Sequence, residues 1–161
     1  MKLIGDESGS VALTTIALLP LFLVVLAGIL QLGALRVGAA RVRAAADLAT
    51  LVAVNDQDDA ELARTGRLRL ADDAAEVARE YFARNLELSA PLLAAAPADI
   101  ARSAEVAAFP IGSATDPRTG ARYDWPTVRL AATVPLRTPV LGAVVLQPVT
   151  AVSVLAVSSA R

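Results

Sequence analysis

Hydrophobic and polar positions follow three patterns along this chain. Residues 1–10, MKLIGDESGS, form a polar leader, and residues 11–35 then run for 25 positions without a charge. A helix rises about 1.5 Å per residue, so roughly 20 apolar residues already cross the hydrocarbon core of a bilayer. A transmembrane helix over 11–35 is therefore predicted. Thr14, Thr15 and Gln31 are its only hydrogen-bonding side chains, and Pro20, Gly28 and Gly33 suit a membrane helix better than a soluble one. Pro20 is expected to kink it. The apolar pattern continues through RVGAARVRAAADLATLVAVN without turn chemistry, which predicts a helical stem over about 36–54.

The second pattern has a period near 3.6. In RLRLADDAAEVAREYFARNLEL, Leu70, Ala74, Val77, Ala78, Tyr81, Phe82 and Leu86 share one face, and the charged residues take the other. This predicts an amphipathic helix over about 66–88. Beyond Pro91 and Pro97 the period falls to two. TVRLAATVP sets Val128, Leu130, Ala132 and Val134 against Arg129, Ala131 and Thr133, and VTAVSVLAVSS behaves similarly. Strands over about 100–109, 127–135 and 149–159 follow, with GSATDPRTGARYDWP as a turn-rich loop between the first two. The predicted class is α+β: a long N-terminal transmembrane helix, a second amphipathic helix and a small three-stranded antiparallel sheet, with residues 36–161 as one domain.

Between the last two strands lies an apolar run containing Val140, Leu141, Val144, Val145 and Leu146, interrupted only by Gly142 and too short to span a bilayer. Its cover could be the domain's own helix, the membrane surface or a partner protein, which makes it a candidate docking loop. The small residues Gly38, Ala39, Ala40, Ala44, Ala45 and Ala46 pose a similar choice between a partner helix and packing within the domain.

Composition narrows the chemistry. There is no cysteine or histidine, which removes thiolate nucleophiles, disulfides, the usual zinc and haem ligands and the commonest acid–base side chain. Beyond Leu35, fourteen arginines face fourteen acids, so no field recruits nucleic acid. No cofactor and no metal are expected. NDQDD, residues 55–59, lacks the glycine and distal Glu of a calcium loop and reads as a solvated turn. Glu76, Glu80 and Arg84 read as helix-surface charges. Gly112-Ser113 with Asp116 has neither a general base nor a strand-to-helix elbow. A catalytic role is not expected.

The opening differs from a secretory signal, whose n-region is basic and whose apolar core is about 7–15 residues. A polar leader ending in Gly9, followed by Ser10 and an unbroken apolar helix, resembles the leader of type IV prepilins, with the Gly9–Ser10 bond as the cleavage junction for a prepilin peptidase. More specifically, GSVALTTIALLPLFLVVLAGILQLG with RVRAAADLATLVAV resembles the TadE/TadG-like proteins of tight-adherence (Flp) pilus assembly. Their Ala-Ala-Asp-x-Ala segment corresponds to Ala45, Ala46 and Asp47 with Ala49. PTVRLAATVPLRTPVLGAVV and VTAVSVLAVS resemble the family's strand, Pro-Leu turn, apolar loop and closing strand.

The resemblance implies a pilin-like pseudopilin on the cytoplasmic membrane, with its C-terminal domain extracytoplasmic and with membrane lipid and pilus or secretion-system subunits as partners. Where the family carries Glu, at the fifth position after the junction, this chain has Thr14. A neutral hydroxyl cannot pair with a neighbour's new N-terminal amine, so the chain is either no filament subunit or an uncleaved, TadG-like relative. Arg36, Arg41 and Arg43 after the span point the other way on topology, since positive flanks favour the cytoplasm. The alternative function is a single-pass anchored ectodomain that binds a small ligand or cell-envelope component, which needs a pocket of converging polar groups.

Overall fold

The computed structural model describes the backbone of residues 7–138 and 149–160, with side chains from residue 14 onward. The chain is α+β, with a long apolar N-terminal helix, further helices and a small antiparallel sheet. Helix α1 (Glu7–Asn55) is a single element of 49 residues that continues through Pro20, a rod of about 73 Å at the usual rise. It has two environments. From Thr14 to Leu26 every side chain is exposed, whereas Val42, Ala45, Ala46, Ala49, Thr50, Ala53 and Val54 are buried at helical spacing.

α1 ends where Asn55, Asp56 and Gln57 replace the apolar pattern, and Gln57 Nε2 donates to the Val54 carbonyl at 2.5 Å. Asp58 then caps a short helix, α2 (Asp59–Thr65), by accepting from the Glu61 amide at 3.0 Å. Gly66 closes α2 at φ 68°, a left-handed conformation that glycine adopts without strain. The turn read in NDQDD is thus an α1–α2 connection whose second acid, Asp58, is a helix cap.

Helix α3 (Ala74–Glu87) lies along α1 and buries Ala74, Ala78, Phe82 and Leu86. It is shorter than the 66–88 expectation. The Leu70 amide donates to the Pro110 carbonyl at 3.1 Å and the Ala71 amide to the Asp56 carbonyl at 3.0 Å. Leu70 is fully buried. The segment after Gly66 is thereby held extended, because anchoring Leu70 in the core outweighs the helical tendency of its neighbours. A 3₁₀ turn (Ala90–Leu92) leads to helix α4 (Pro97–Ser103).

α4 overturns half of the strand expected over 100–109. Pro97 in the first turn presets a helical φ, and Asp99 suits the N-terminal dipole. Ile100 and Ala101 bury one face of α4 against α3 and the sheet. Extended structure resumes only at strand β1 (Glu105–Phe109).

A two-stranded ribbon, β2 (Ala114–Thr115) with β3 (Arg122–Tyr123), stands inside the segment read as a loop. Gly112 is required there, since a Cβ would come within 2.2 Å of the Asp124 carbonyl oxygen. Strands β4 (Thr127–Arg137) and β5 (Val149–Ser159) complete the sheet in the order β1-β4-β5, all neighbours antiparallel.

β4 runs through Pro135 and Leu136, which pair with Ala151 and Thr150, so the expected Pro-Leu turn is strand. Pairing with β1 stops at Ala131, and the Pro135 carbonyl accepts from the Ala94 amide at 2.9 Å on that side. The missing proline N–H faces the same way, so no ladder bond is lost.

The inner face of β4 presents Val128, Leu130, Ala132, Val134 and Leu136 to the helices, joined by Val154 and Ala156 of β5. α1 meets them with small residues, some of which pack within the domain. Gly38, Ala45 and Ala46 are buried within the chain's own domain, Gly38 against Leu136, whereas Ala40 and Ala44 remain exposed. Thr50 Oγ1 and Ser158 Oγ lie 2.9 Å apart at the far end of the same seam.

Candidate functional site

The sequence-derived site residues fall in different places. Gly9 and Ser10 lie within the helical backbone of α1, and Thr14 is exposed four residues further on. Ala45 and Ala46 belong to the core, whereas Asp47 is exposed. The docking-loop residues Val140, Leu141, Val144, Val145 and Leu146 lie outside the described residues.

Two apolar surfaces stand out. The first is the leading half of α1, which is long and apolar enough to cross a membrane. Leu19, Phe22, Leu23, Leu26, Ile29 and Leu30 are 40–63% exposed there, a patch larger than soluble monomers carry. The second is β5. Among the described residues it pairs on one side only, it spans 11 residues, and its sequence, VTAVSVLAVSS, has no charge and no proline. Edge strands are ordinarily blunted by such residues or by shortness. On its outer face Val149, Leu155 and Val157 are 42–57% exposed. The sequence pattern locates β5, but nothing in it reveals that β5 is an edge.

The outer face behaves differently toward β1, where the β2–β3 segment covers it. Arg129 sits there only 3% exposed. Its Nη2 donates to Glu105 Oε1 at 2.6 Å, and Arg118 pairs with the other oxygen of Glu105. Arg129 Nε lies 2.8 Å from Asp116 Oδ2 but out of line for a hydrogen bond, so that contact is coulombic. Asp116 also accepts from the Arg118 amide at 2.9 Å and Thr119 Oγ1 at 2.8 Å. These bonds hold its carboxyl below the ordinary 3.8, led by the Arg118 amide, with Thr119 and Arg129 adding to it and desolvation opposing.

Asp116, singled out beside Gly112 and Ser113, is therefore committed to bracing the β2–β3 segment. The tilted stacking of Phe109 on Tyr123, 5.0 Å between centroids, braces the same cover. The sequence assigned Arg129 to a polar face. Only the long-range placement of Glu105 and Asp116 reveals it as buried. Glu76 and Glu80 pair with Arg79 and Arg84 at 2.5 and 3.2 Å on the exposed face of α3.

An open groove of about 410 Å³ runs between α1 and the C-terminal end of α3, lined by Arg41, Ala44, Ala45, Leu48, Asn85, Leu88 and Ser89. Comparison with known protein families, curated proteins and solved structures finds no match to this chain.

Proposed function

We propose that this chain is a membrane-anchored, TadE/TadG-like component of a tight-adherence pilus or related secretion system, acting by protein–protein contact. The observation that carries the reading is the division of α1: one continuous helix presents bare hydrocarbon over its first half and walls a small α+β domain with its second. Such a rod holds a binding domain against a membrane. The domain's contact surface is β5, whose open edge offers unpaired backbone groups that an extended strand of another assembly subunit would satisfy in register. The 140–146 loop adds a second contact. The domain lies outside the cytoplasmic membrane, and the polar leader, with Gly9 and Ser10, is the segment a prepilin peptidase would read.

Deleting the chain from its source should abolish surface pili. Wild-type chain should restore them, and a chain with Leu155→Asp and Val157→Asp, whose exposed positions tolerate charge, should be made at normal level and fail to. Pili unchanged in number after deletion would end the assembly reading.

A further inference from the structure

The arginines of this protein are segregated by whether they have an acid to face. Arg64, Arg69, Arg79, Arg84, Arg102, Arg118, Arg122 and Arg129 each lie within 4.0 Å of a carboxylate oxygen. Arg36, Arg41, Arg43 and Arg137 are exposed and, among the described residues, in none of these ion pairs. Arg67, beyond α2, is also exposed and, among the described residues, in none of these pairs.

The four gather at the end of the domain where α1 leaves its uncharged span. A Cβ on Gly38 would approach Leu136 Cδ1 to 3.0 Å, which brings the end of β4, and with it Arg137, beside the turn of α1 that carries Arg36 and Arg41. Gly38 is three residues past Leu35, about 4.5 Å beyond the uncharged span. Arg36, Arg41 and Arg43 fall about 2, 9 and 12 Å beyond it on the same rise. The headgroup zone of a leaflet occupies about 5–7 Å beyond the hydrocarbon.

Direction also matters. Helical side chains lean toward the helix N-terminus, which here is toward the bilayer, so Arg41 and Arg43 reach back into that zone. Arg36 and Arg43, seven residues apart, share one side of α1. Arg41 points to another side, into the groove with Asn85 and Ser89, and Arg137 lies across the sheet. Asp47, four residues beyond Arg43 on α1, and Glu87, next to the groove residue Leu88, form no ion pair with them.

We propose that Arg36, Arg41, Arg43 and Arg137 form a cationic collar that binds the phosphates of anionic phospholipids in the leaflet from which α1 emerges, a proposal that rests on α1 being a membrane anchor. Guanidinium groups bind phosphate through paired N–H donors. A collar on opposite sides of the stem grips headgroups around it and fixes the height and tilt of the domain.

The test uses the full-length protein in phosphatidylcholine vesicles, with and without phosphatidylglycerol. Flotation with phosphatidylcholine vesicles at alkaline pH reports the anchor alone, and failure to float would refute the anchor and the collar with it, whereas a floated protein without lipid preference would refute the collar only. Spin-labelled phosphatidylglycerol and phosphatidylcholine then report which lipid the floated protein immobilises. Each arginine near a surface is worth roughly a five-fold preference for anionic lipid, so a clear preference is expected, fading at 1 M salt, where screening acts within about 3 Å.

Arg36→Gln, Arg41→Gln, Arg43→Gln and Arg137→Gln together should bring the two lipids to parity, and the four matching Lys substitutions should keep most of the preference. Arg64→Gln with Arg102→Gln should leave it untouched. Equal immobilisation of both lipids by floated wild-type protein would overturn the collar, as would retention of the preference in the Gln variant. Loss of the preference in inorganic phosphate but not in chloride of equal ionic strength would assign the arginines to free phosphate instead.

Discussion

Gly38 is where the stem of α1 meets the end of β4 nearest the uncharged span, and substitutions there have opposing terms of comparable size. Gly38→Ala gains about 1 kcal/mol of helix propensity. Its new Cβ would stand 3.0 Å from Leu136 Cδ1, inside the ordinary contact of about 3.5–4.0 Å. Leu136 is 2% exposed, so its methyl must rotate off a rotamer minimum at about 0.5–1.5 kcal/mol. The sum lies within about 0.5 kcal/mol of zero. Gly38→Ile adds three more carbons that Leu136 cannot evade, and overpacking of that kind costs about 1–3 kcal/mol. At this size each kcal/mol lowers the melting temperature by roughly 3–5 °C.

Leu136→Ala alone should cost about 2–5 kcal/mol, but combined with Gly38→Ile the larger side chain fills the vacated space. The double variant should therefore be at least about 1 kcal/mol more stable than the two losses added. Thermal unfolding of the full-length protein in detergent micelles, followed by circular dichroism and by the fluorescence of Trp125, its one tryptophan, measures each corner of the cycle. Additivity within about 0.5 kcal/mol would mean that the two residues do not touch, and the placement of the end of β4 beside the stem of α1 would fall with that contact.

Other outcomes test separate parts of the structure. Leu23→Arg should weaken insertion by about 2.5–3.5 kcal/mol near the bilayer centre, and unchanged recovery in the alkali-resistant membrane fraction would place the span elsewhere. A reporter fused after Arg161 should be active outside the cytoplasm, and activity only inside would reverse the proposed orientation. Phe82→Ala, at a fully buried position, should cost about 3–5 kcal/mol; a smaller loss than that of Leu62→Ala on the exposed α2 would contradict the core assignment. Asp116 has its carboxyl held below 3.8 in the folded state. It therefore stabilises the fold above about pH 4 and loses that contribution as pH falls through the folded value. The gap in melting temperature between wild type and Asp116→Asn should be constant above about pH 5 and shrink below pH 4, and a gap unchanged down to about pH 2.5 would refute the assigned hydrogen bonds.

The α+β class, the long helix and the two long strands were legible because each rests on a pattern within one segment. The span needs only an uncharged run, and β4 and β5 need only alternation. The errors lie where distant contacts decide. Leu70 fits a helical face in sequence, yet its amide is held by Pro110, forty residues away. Ile100 fits a strand, yet Pro97 opens a helix whose apolar face α3 covers. The alternation carried the strand to Pro135, and the Pro-Leu turn that the resemblance implied gives way to strand because the end of β1 leaves the missing donor harmless. The arginine collar was visible only in part: the sequence marks Arg36, Arg41 and Arg43 as neighbours of the span, but Arg137 joins them only through the β4–α1 contact.

Because α1 supplies a wall of the core, the domain cannot close until almost all of the chain exists. Val42, Ala46 and Ala49 leave the ribosome early, whereas Val154 and Ala156, which cover them, come more than a hundred residues later, as the 108-residue separation of Thr50 and Ser158 records. At about 5–20 residues per second this is a wait of roughly 5–20 s. Throughout it the first half of the helix is bare hydrocarbon and the second half carries an apolar stripe with no sheet against it. Folding is then slow by topology, since its closing contacts are the least local ones. Mutations that delay β5 should raise degradation and aggregation before they alter any property of the finished protein, so its steady-state amount becomes the first trait to suffer.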